Sequence, residues 1–502
     1  MPKRPLLPVW EKGVAYRGRF LGKPLRAIFR FRHQDAQTPP SPLVGEGGRG
    51  MRGQKAWECL MNALLPASMP VFSAFSSSGA TLHSRNSNRG KAMNILLLTQ
   101  IVPYPPDSGP KVKTYYLLRY LASRHRVTLV CFTRNAQEEA DAAALRDLVA
   151  EVHTVSLTRS TVRNALTMAR SLIRRRSWII ERDDSAAMHR LLARLVREAE
   201  IAGRPYDLVH ADQLNMAQFA EPLPLPRLLD EHNAVWTVFR RVAAQERGLK
   251  RLLWEREWRM LRTYEGRVCR EFEAVTAVSH EDRQALLEAM GSRRDIPVIP
   301  IAVDAEREQP IARQPNARGI LSLATMMWPP NVDGVLWFAR SIYPLIKQQV
   351  EGTRFFVVGQ RPVADVRALP EQDPSIEVTG YVPDPTPYIA ASACLIVPLR
   401  SGGGMRVKIL EALARGIPVV STTIGYEGID LVPGEHLLVG DTPDAFADAV
   451  VRLLRDPRLG ERIAAAGRRR LLERYDWRAV CPAMDEVYER VIERRECVGV
   501  GK

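Results

Sequence analysis

The fold is decided by one stretch, Pro398 to Gly425, which reads PLRSGGGMRVKILEALARGIPVVSTTIG. The apolar run Cys394–Leu399 predicts a buried strand, and three consecutive glycines, Gly402–Gly404, follow it. A helical pattern then extends from Met405 to Arg415, and the apolar segment Ile417–Ser421 predicts a second strand. A strand, a glycine loop, a helix and a strand in this order predict a βαβ unit of a parallel sheet.

The same stretch carries the residues of a candidate anion site. A glycine loop that opens a helix presents free backbone N–H groups and the positive end of the helix dipole. Gly404, Lys408 and Glu411 are spaced four and three residues apart and therefore share one helical face. Lys408 suits a phosphate, and the carboxylate of Glu411 suits sugar hydroxyls. Spacing alone leaves a plain alternative open, in which the loop is merely tight and Glu411 forms surface ion pairs with Lys408 and Arg415.

The segment Gly380–Ile429 resembles the donor-binding half of the group 1 glycosyltransferases, family 4, and a looser resemblance extends from Met93 to about Arg478. These are retaining enzymes of the GT-B fold, so the resemblance implies an α/β protein with two Rossmann-like parallel-sheet domains facing across a cleft. The usual family motif has two glutamates separated by seven residues, and the second is followed by alanine. Glu411 and the alanine after it match the second half of this motif, but Gly403 occupies the position of the first glutamate. The chain is similar instead to the subgroup with a triple-glycine loop, a basic residue and Lys-x-Leu/Ile-Leu-Glu-Ala.

The resemblance also implies which residues bind the donor. Many relatives carry a basic residue in the first loop of the second half, where it holds the diphosphate, but this chain has none between Gly319 and Arg340. We therefore expect Arg406 and Lys408 to carry the diphosphate and to act in catalysis. The other donor-binding residues that the resemblance implies are Gly403, Gly404, Glu411, Val382 and Asn331.

The first half opens at Met93 with a strand, a loop, a helix predicted for Val112–Ser123 and another strand. In the family, the loop at Gly109 faces the cleft and touches the sugar or the acceptor; a plain turn glycine is the alternative. His210 and His232 both follow short strands with polar ends. The resemblance favours His232 as a catalytic residue beside the donor sugar, whereas a lone histidine is often structural.

Charge is distributed unevenly along the 502 residues. Residues 1–92 hold 15 Lys and Arg against 4 Asp and Glu, or +11 of the net charge of +16, and the remainder holds 57 against 52. The basic balance therefore does not indicate a nucleic-acid partner for the folded part. Segment 1–92 is rich in Pro, Gly and Ser, and we expect it to be disordered or a mis-assigned extension before a natural start at Met93. A basic tail that touches anionic lipid or nucleic acid is the alternative.

The predicted organisation continues with an acceptor domain at 93–305, a linker at 306–318, a donor domain at 319–475 and a helix at 476–496 that crosses back to the first domain. No apolar run approaches 18 residues, so no transmembrane helix is expected. Scattered cysteines favour a reducing cytoplasm. No metal site is expected, because the pair Asp183 and Asp184 lies in a basic segment that we predict to be exposed.

Two basic stretches, 159–176 and 240–267, interleave arginines with Leu, Ile and Trp. Such helices can lie on an anionic bilayer at the inner face of the cell membrane, and the alternative is a helix packed on its own domain.

The expected function is metal-independent, retaining transfer of a sugar from a nucleotide diphosphate sugar to a saccharide, possibly lipid-linked, in exopolysaccharide or cell-envelope glycan synthesis, with no cofactor. The alternatives are a non-catalytic nucleotide-sugar-binding scaffold and a sugar-nucleotide epimerase of the same fold.

Overall fold

The computed structural model describes residues 92–157 and 159–499. The expectation for segment 1–92 lies, apart from Ala92, outside the described residues. Two six-stranded sheets, both parallel, account for the twelve strands of the described part. Helices connect the strands and cover the sheets, which confirms the predicted α/β class with two Rossmann-like halves.

The first sheet has the order β3-β2-β1-β4-β5-β6. Its strands are β1 (Asn94–Thr99), β2 (Arg126–Thr133), β3 (Glu151–Ser156), β4 (Leu208–Asp212), β5 (Arg227–Asp230) and β6 (Ala274–Thr276). The helices of this half are α1 (Gly109–Ala122), α2 (Ala136–Ala143), α3 (Thr161–Arg174), α4 (Trp178–Asp183), α5 (Ala186–Ile201), α6 (Leu214–Ala220), α7 (Val235–Gln245), α8 (Gly248–Glu271) and α9 (His280–Met290).

The second sheet has the order β12-β11-β10-β7-β8-β9. Its strands are β7 (Gly319–Leu323), β8 (Arg354–Val358), β9 (Ile376–Gly380), β10 (Ser392–Val397), β11 (Val419–Ser421) and β12 (Leu438–Val439). The helices are α10 (Pro329–Trp337), α11 (Tyr343–Gln349), α12 (Ala364–Arg367), α13 (Leu369–Gln372), α14 (Thr386–Ala390), α15 (Val407–Ala414), α16 (Thr423–Tyr426), α17 (Pro443–Arg455), α18 (Pro457–Arg474), α19 (Trp477–Val480) and α20 (Ala483–Gly499).

Both sheets share one topology, because the second order is the first one read from the opposite edge. In each sheet the strand order reverses between the first and the fourth strand, which are β1 and β4 in one half and β7 and β10 in the other. Open parallel sheets bind ligands at this point, beyond the carboxyl ends of the two strands. The topology therefore places candidate ligand loops after these four strands.

The two halves meet in one apolar cluster. Val112, Val278 and Ile301 of the first half are buried in the same cluster as Met405 and Ile409 of the second. The C-terminal helix α20 packs on the first sheet, where its apolar side chains share a cluster with those of β1, β4 and β5. The end of the chain therefore returns to the half where the described residues begin.

Two helix boundaries differ from the prediction by two or three residues. The helix expected for Met405–Arg415 begins at Val407, because Arg406 has extended backbone with φ −88° and ψ 92°. The helix expected for Val112–Ser123 begins at Gly109, since Pro110 at its first turn is compatible with helical backbone. Both shifts move a candidate site residue, Arg406 out of a helix and Gly109 into one.

A buried ion pair fixes helix α1 to the first sheet. The Nζ atom of Lys113 lies 2.6 Å from Oδ1 of Asp230, and the two side chains are 3% and 0% exposed. Thr276 also donates a hydrogen bond to Asp230. Burial opposes the charged form of Asp230, but the Lys113 ammonium and the nearby His210, at 3.7 Å, hold the pKa of this carboxyl below its usual range.

Replacing Lys113 by Met should destabilise the protein by about 3–5 kcal/mol, because Asp230 keeps a buried charge without its partner. Lys113→Met with Asp230→Asn should recover much of the loss. In the wild type the depressed pKa keeps Asp230 charged throughout the range above 3.8, so the contribution of the pair is complete there. In Lys113→Met burial is no longer opposed by the ammonium, so the pKa of Asp230 rises and the carboxyl takes up a proton on acidification, which removes the unpaired charge. The gap between wild type and Lys113→Met should therefore narrow as the pH falls from 7 towards 4.

Urea unfolding at several pH values measures both effects. The control is Lys111→Met on the same helix, since Lys111 pairs with the exposed Asp107 and its loss should change stability by less than about 1 kcal/mol. An equal loss for the two lysine variants would contradict the buried-pair assignment.

Candidate functional site

The glycine loop follows β10 at the point where the order of the second sheet reverses. Gly402 and Gly404 have φ values of 112° and 105°, which L-residues with a side chain rarely adopt. A Cβ atom on Gly402 would also lie 3.3 Å from Nη2 of Arg406. The loop therefore depends on glycine for its conformation and for the close approach of the guanidinium.

Lys408 joins the glycine-loop helix to the loop that follows β7. Its Nζ donates a hydrogen bond of 3.0 Å to Oδ1 of Asn331, and the Asn331 amide donates one of 3.0 Å to the carbonyl of Thr325. Burial, with a smaller contribution from Arg406, lowers the pKa of Lys408 to about 7. The structure thus brings two predicted donor residues, Lys408 and Asn331, together between the two loops.

Arg406 is buried behind the loop with unused hydrogen-bond donors. Its Nη1 donates to the Gly403 carbonyl, its residue exposure is 7%, and its Nε and Nη2 atoms are buried without a hydrogen-bond partner. Burial lowers the pKa of this guanidinium to about 10, although the nearby Glu427 raises it. Buried donors are normally satisfied, so these free N–H groups indicate a site for an acceptor.

Glu411 lies on the helix one turn after Lys408. The surface ion pairs considered as the plain alternative are not formed in the described part of the chain, since Lys408 bonds to Asn331 and Arg415 lies 2.7 Å from Glu308. Burial raises the pKa of Glu411 to about 7, and Glu308 adds to this while Arg415 opposes it. Its proposed contact with a ribose stays a prediction.

Gly109 brings the first half to the start of α15. A Cβ atom on Gly109 would lie 3.5 Å from Cγ2 of Val407, so the loop after β1 lies against the glycine-loop helix. Val382 follows β9 and packs, partly buried, on the cluster that contains Met405 and Ile409. Gly109 therefore lies beside the start of α15, and the roles of Gly109 and Val382 towards acceptor and nucleotide stay predictions.

Comparison with known families and structures fits this geometry. A family model described as "Glycosyltransferase Family 4" matches residues 108–307, and one described as "Glycosyl transferases group 1" matches residues 317–456. The chain belongs to the group 1 glycosyltransferases. This family assignment confirms the resemblance, while membership of the triple-glycine subgroup stays a prediction.

Two curated relatives are mycobacterial mannosyltransferases. The chain is 31% identical over 227 residues to the phosphatidyl-myo-inositol mannosyltransferase of Mycobacterium leprae, which is 43% of this chain and 58% of that protein. It is 25% identical over 314 residues to the GDP-mannose-dependent alpha-(1-6)-phosphatidylinositol monomannoside mannosyltransferase of Mycolicibacterium smegmatis, or 57% of this chain and 78% of that one. The chain thus spans less than two thirds of the length of the first of these.

A solved structure extends the likeness to the whole fold. Anabaena Alr3699/HepE in complex with UDP and glucose superposes with a TM-score of 0.54, at 15% identity, over 79% of this chain and 99% of that one. At this identity the likeness concerns the fold alone. It confirms the GT-B architecture predicted for this group 1 glycosyltransferase.

His232 lies at the carboxyl end of β5 and is buried. Its Nε2 is 2.8 Å from Oδ1 of Asp212, and its Nδ1 is 3.2 Å from the amide nitrogen of Gln213. One proton on Nε2 satisfies both contacts, with Nδ1 accepting from Gln213. Both ring nitrogens are then engaged within the first half, so this arrangement does not favour a proton transfer by His232, and its catalytic role stays a prediction.

Asp183 corrects the sequence interpretation. We expected Asp183 and Asp184 to be exposed, but Asp183 is fully buried. Burial opposes its charge, yet nearby guanidinium groups keep its pKa low. Its carboxylate accepts hydrogen bonds from Gln100, Arg159, Arg182 and Asn215. Apart from the adjacent Arg182, these partners lie 24 or more residues away along the chain, which is why a basic local segment did not reveal the burial.

The three potential metal-ligating residues that lie together in the described part of the chain are His210, Asp212 and Asp230, with ligand atoms within 4.8 Å of one another. Hydrogen bonds from Lys113 and Thr114 already engage the two carboxylates. We assign this cluster to the polar network that supports the first sheet.

Two residues near the glycine loop were missed by sequence reasoning. Arg241, on α7 of the first half, donates a hydrogen bond of 3.1 Å to the Gly402 carbonyl, and its Nη2 lies 4.0 Å from Oε1 of Glu427. Burial raises the pKa of Glu427 to about 8, which Arg241 and Arg406 oppose. Nothing in the local sequence distinguishes Arg241 from the other arginines of its stretch. Glu427 is easier to find from the sequence, because it lies between Gly425 and Gly428 directly after the predicted βαβ unit.

Replacing Lys408 by Met should raise the melting temperature of the ligand-free protein at pH 6. A lysine whose folded pKa lies below its unfolded value of 10.5 costs stability, fully below pH 7 and progressively less as the pH rises towards 10.5. The gain should therefore be larger at pH 6 than at pH 9 in thermal unfolding. As a control, Lys347→Met removes an exposed lysine that pairs with Asp373 and should stabilise at neither pH. A loss of stability at pH 6 for Lys408→Met would show that the hydrogen bond to Asn331 outweighs the free-energy cost of burying the ammonium.

Proposed function

We propose that this protein transfers a sugar from a nucleotide diphosphate sugar to a saccharide acceptor and retains the anomeric configuration. The observation that carries the proposal is the convergence of Arg406, Lys408 and the glycine loop at the reversal point of the second sheet. The buried guanidinium of Arg406 has N–H groups without a partner, and a phosphate can accept hydrogen bonds from them. Family membership supports the same reaction class.

The chemistry requires that negative charge on the departing nucleoside diphosphate be stabilised. Arg406 and Lys408 are held in place before the reaction, and α15 directs the N–H groups of its first turn towards the loop. Such fixed donors stabilise developing charge without reorganisation, so the proposal needs neither a metal ion nor a cofactor. The donor phosphate itself can take the proton of the acceptor hydroxyl, which agrees with the engaged nitrogens of His232.

A panel of nucleotide sugars, followed by mass spectrometry, tests the proposal. A transferase should hydrolyse one donor slowly, with release of the nucleoside diphosphate, even without an acceptor. Release of a free epimer would indicate the epimerase alternative, and binding without turnover would indicate the scaffold. The names of the mannosyltransferase relatives make GDP-mannose a first donor to include, beside UDP-glucose.

Glu411→Gln should weaken nucleoside diphosphate binding and leave inorganic pyrophosphate binding almost unchanged. The carboxylate is proposed to accept the ribose hydroxyls, which pyrophosphate lacks. Calorimetry at pH 8 is suitable, because Glu411 with a pKa of about 7 is then charged.

The comparison variant is Lys408→Ala, which should weaken both ligands roughly tenfold or more, because a bound phosphate favours the charged form of Lys408 and the variant loses that charge-assisted bond. If Glu411→Gln shifts both affinities equally, the glutamate is structural and the placement of the nucleotide is wrong.

We further propose that the acceptor is lipid-linked and that the protein contacts an anionic membrane at the inner face of the cell membrane, in the synthesis of exopolysaccharide or envelope glycan. Among the described residues, no helix combines the length and apolarity needed to cross a bilayer. A surface made by α3 and the start of α8 instead exposes large apolar side chains among arginines; they are Val162, Leu166, Leu172, Ile173, Leu249 and Leu252. This amphipathic surface has the composition of an interfacial helix pair.

Leu166→Glu with Ile173→Glu should reduce co-sedimentation with vesicles of phosphatidylcholine and phosphatidylglycerol. These side chains are 67% and 84% exposed, so the substitutions should not disturb the fold. Ile201→Glu is the control, since Ile201 is 81% exposed at the end of another helix, α5. Unchanged vesicle binding of the double variant would exclude this surface as the membrane contact. It would favour the alternative that the helix only packs on its own domain.

A further inference from the structure

Two guanidinium groups from opposite halves converge on the glycine loop. Arg241 of α7 donates to the Gly402 carbonyl, and Arg406 donates to the neighbouring Gly403 carbonyl. The Arg241 side chain remains 40% exposed, whereas Arg406 is buried. Like charges brought together in a partly buried position repel each other, so an arrangement of this kind favours an additional negative group.

Glu427 does not supply that negative group fully. Its Oε1 lies 4.0 Å from Nη2 of Arg241, beyond hydrogen-bond distance, and its Oε2 is buried without a partner. Nε and Nη2 of Arg406 are also without a partner. One carboxylate therefore faces two guanidinium groups, and donors on Arg406 and an acceptor on Glu427 remain unsatisfied. Although Glu281 and Asp282 also lie near Glu427, Arg406 keeps unsatisfied donors beside the glycine loop.

The loop on the other side of the site cannot contribute a further cation. Residues 324–331, which follow β7, contain no lysine or arginine, and Lys408 reaches Asn331 of this loop from α15. Arg400, which precedes the glycines, is paired with Asp333. A further cation beside the glycine loop comes from the first half, through Arg241.

Helix α7 holds Arg241 in a defined position. The carboxylate of Glu265 accepts hydrogen bonds of 2.8 and 3.0 Å from the backbone N–H groups of Val235 and Trp236, which fixes the start of the helix. The preceding residue, Arg240, instead stacks on the ring of Trp236 at 4.6 Å. Adjacent arginines on one helix thus have different environments, and only Arg241 is directed at the glycine loop.

We propose that Arg241 is a phosphate-binding residue of the donor site, supplied by the first half. The inference rests on the proposed function and extends it, because a diphosphate held by Arg241, Arg406 and Lys408 contacts both halves of the protein at once. Donor binding then stabilises the association of the halves at the glycine loop. Release of the nucleoside diphosphate removes this link.

Calorimetry with UDP, GDP and inorganic pyrophosphate tests the proposal on the full chain. Arg241→Ala should weaken pyrophosphate and the bound nucleoside diphosphate about tenfold each, as expected for one charge-assisted hydrogen bond. Arg241→Lys should retain most of the affinity, because it keeps the charge. The control Arg240→Ala removes the same charge from the adjacent position and should change either affinity by less than about twofold, since exposed charges are screened.

Arg241→Gln separates phosphate binding from a structural role. The amide keeps hydrogen-bond donors but has no charge, so the proposal predicts an affinity close to that of Arg241→Ala. If Arg241→Gln binds pyrophosphate as the wild type does, Arg241 only holds the loop and the proposal is wrong. Melting temperatures of all variants confirm that the fold is retained.

The outcomes also distinguish this proposal from the proposed function. If Lys408→Ala loses nucleoside diphosphate affinity while Arg241→Ala does not, the donor site stands and the role of Arg241 is refuted. If the wild type binds neither UDP, GDP nor pyrophosphate, the proposed function and the role of Arg241 both fail.

Discussion

Burial of positive charge behind the glycine loop is the constraint on which the site depends. Arg406 is buried and Lys408 is half-buried, and among the described residues neither has a carboxylate within ion-pair distance. Removing a cation from water without a partner costs free energy, which the surrounding apolar packing must offset. The cluster shared by both halves, which includes Met405 and Ile409, lies directly beside these residues and provides that packing. The fold thus maintains buried donors that the diphosphate proposed above would satisfy.

The first half handles charge in the opposite way. Lys113 of α1 is paired with Asp230 at the carboxyl end of β5, and His232, just after β5, is paired with Asp212 at the carboxyl end of β4. The cation Lys113 is thus paired in this network, and most of the buried atoms left without a partner there are oxygens, among them those of Asp230, Glu231 and Gln213. Behind the glycine loop the atoms without a partner are N–H groups of Arg406. This difference, rather than the fold, favours the second half for the proposed anion site.

Much of this arrangement was predictable from local sequence. Apolar runs identified strands such as β1 and β10, and the glycine loop with Lys408 and Glu411 lies where the βαβ pattern placed it. Features that depend on distant partners were not predictable. Asp183 is buried because Gln100, Arg159 and Asn215 surround it, although its own segment is basic. Arg241 contacts Gly402 only because the two halves pack together, so the residue pattern within α7 could not predict this contact.

The contacts between the halves suggest how donor binding and domain association are linked. Gly109 lies against Val407, and the backbone N–H of Ile301 faces the sulfur of Met405 at 3.4 Å, so apolar contacts join the halves beside the start of α15. These contacts do not require a ligand. The contact through Arg241 is polar and solvent-accessible, and its strength depends on the charge at the glycine loop. The apolar contact does not depend on charge, so the halves can remain associated without a ligand. The polar contact beside it can strengthen when the proposed donor binds at the glycine loop.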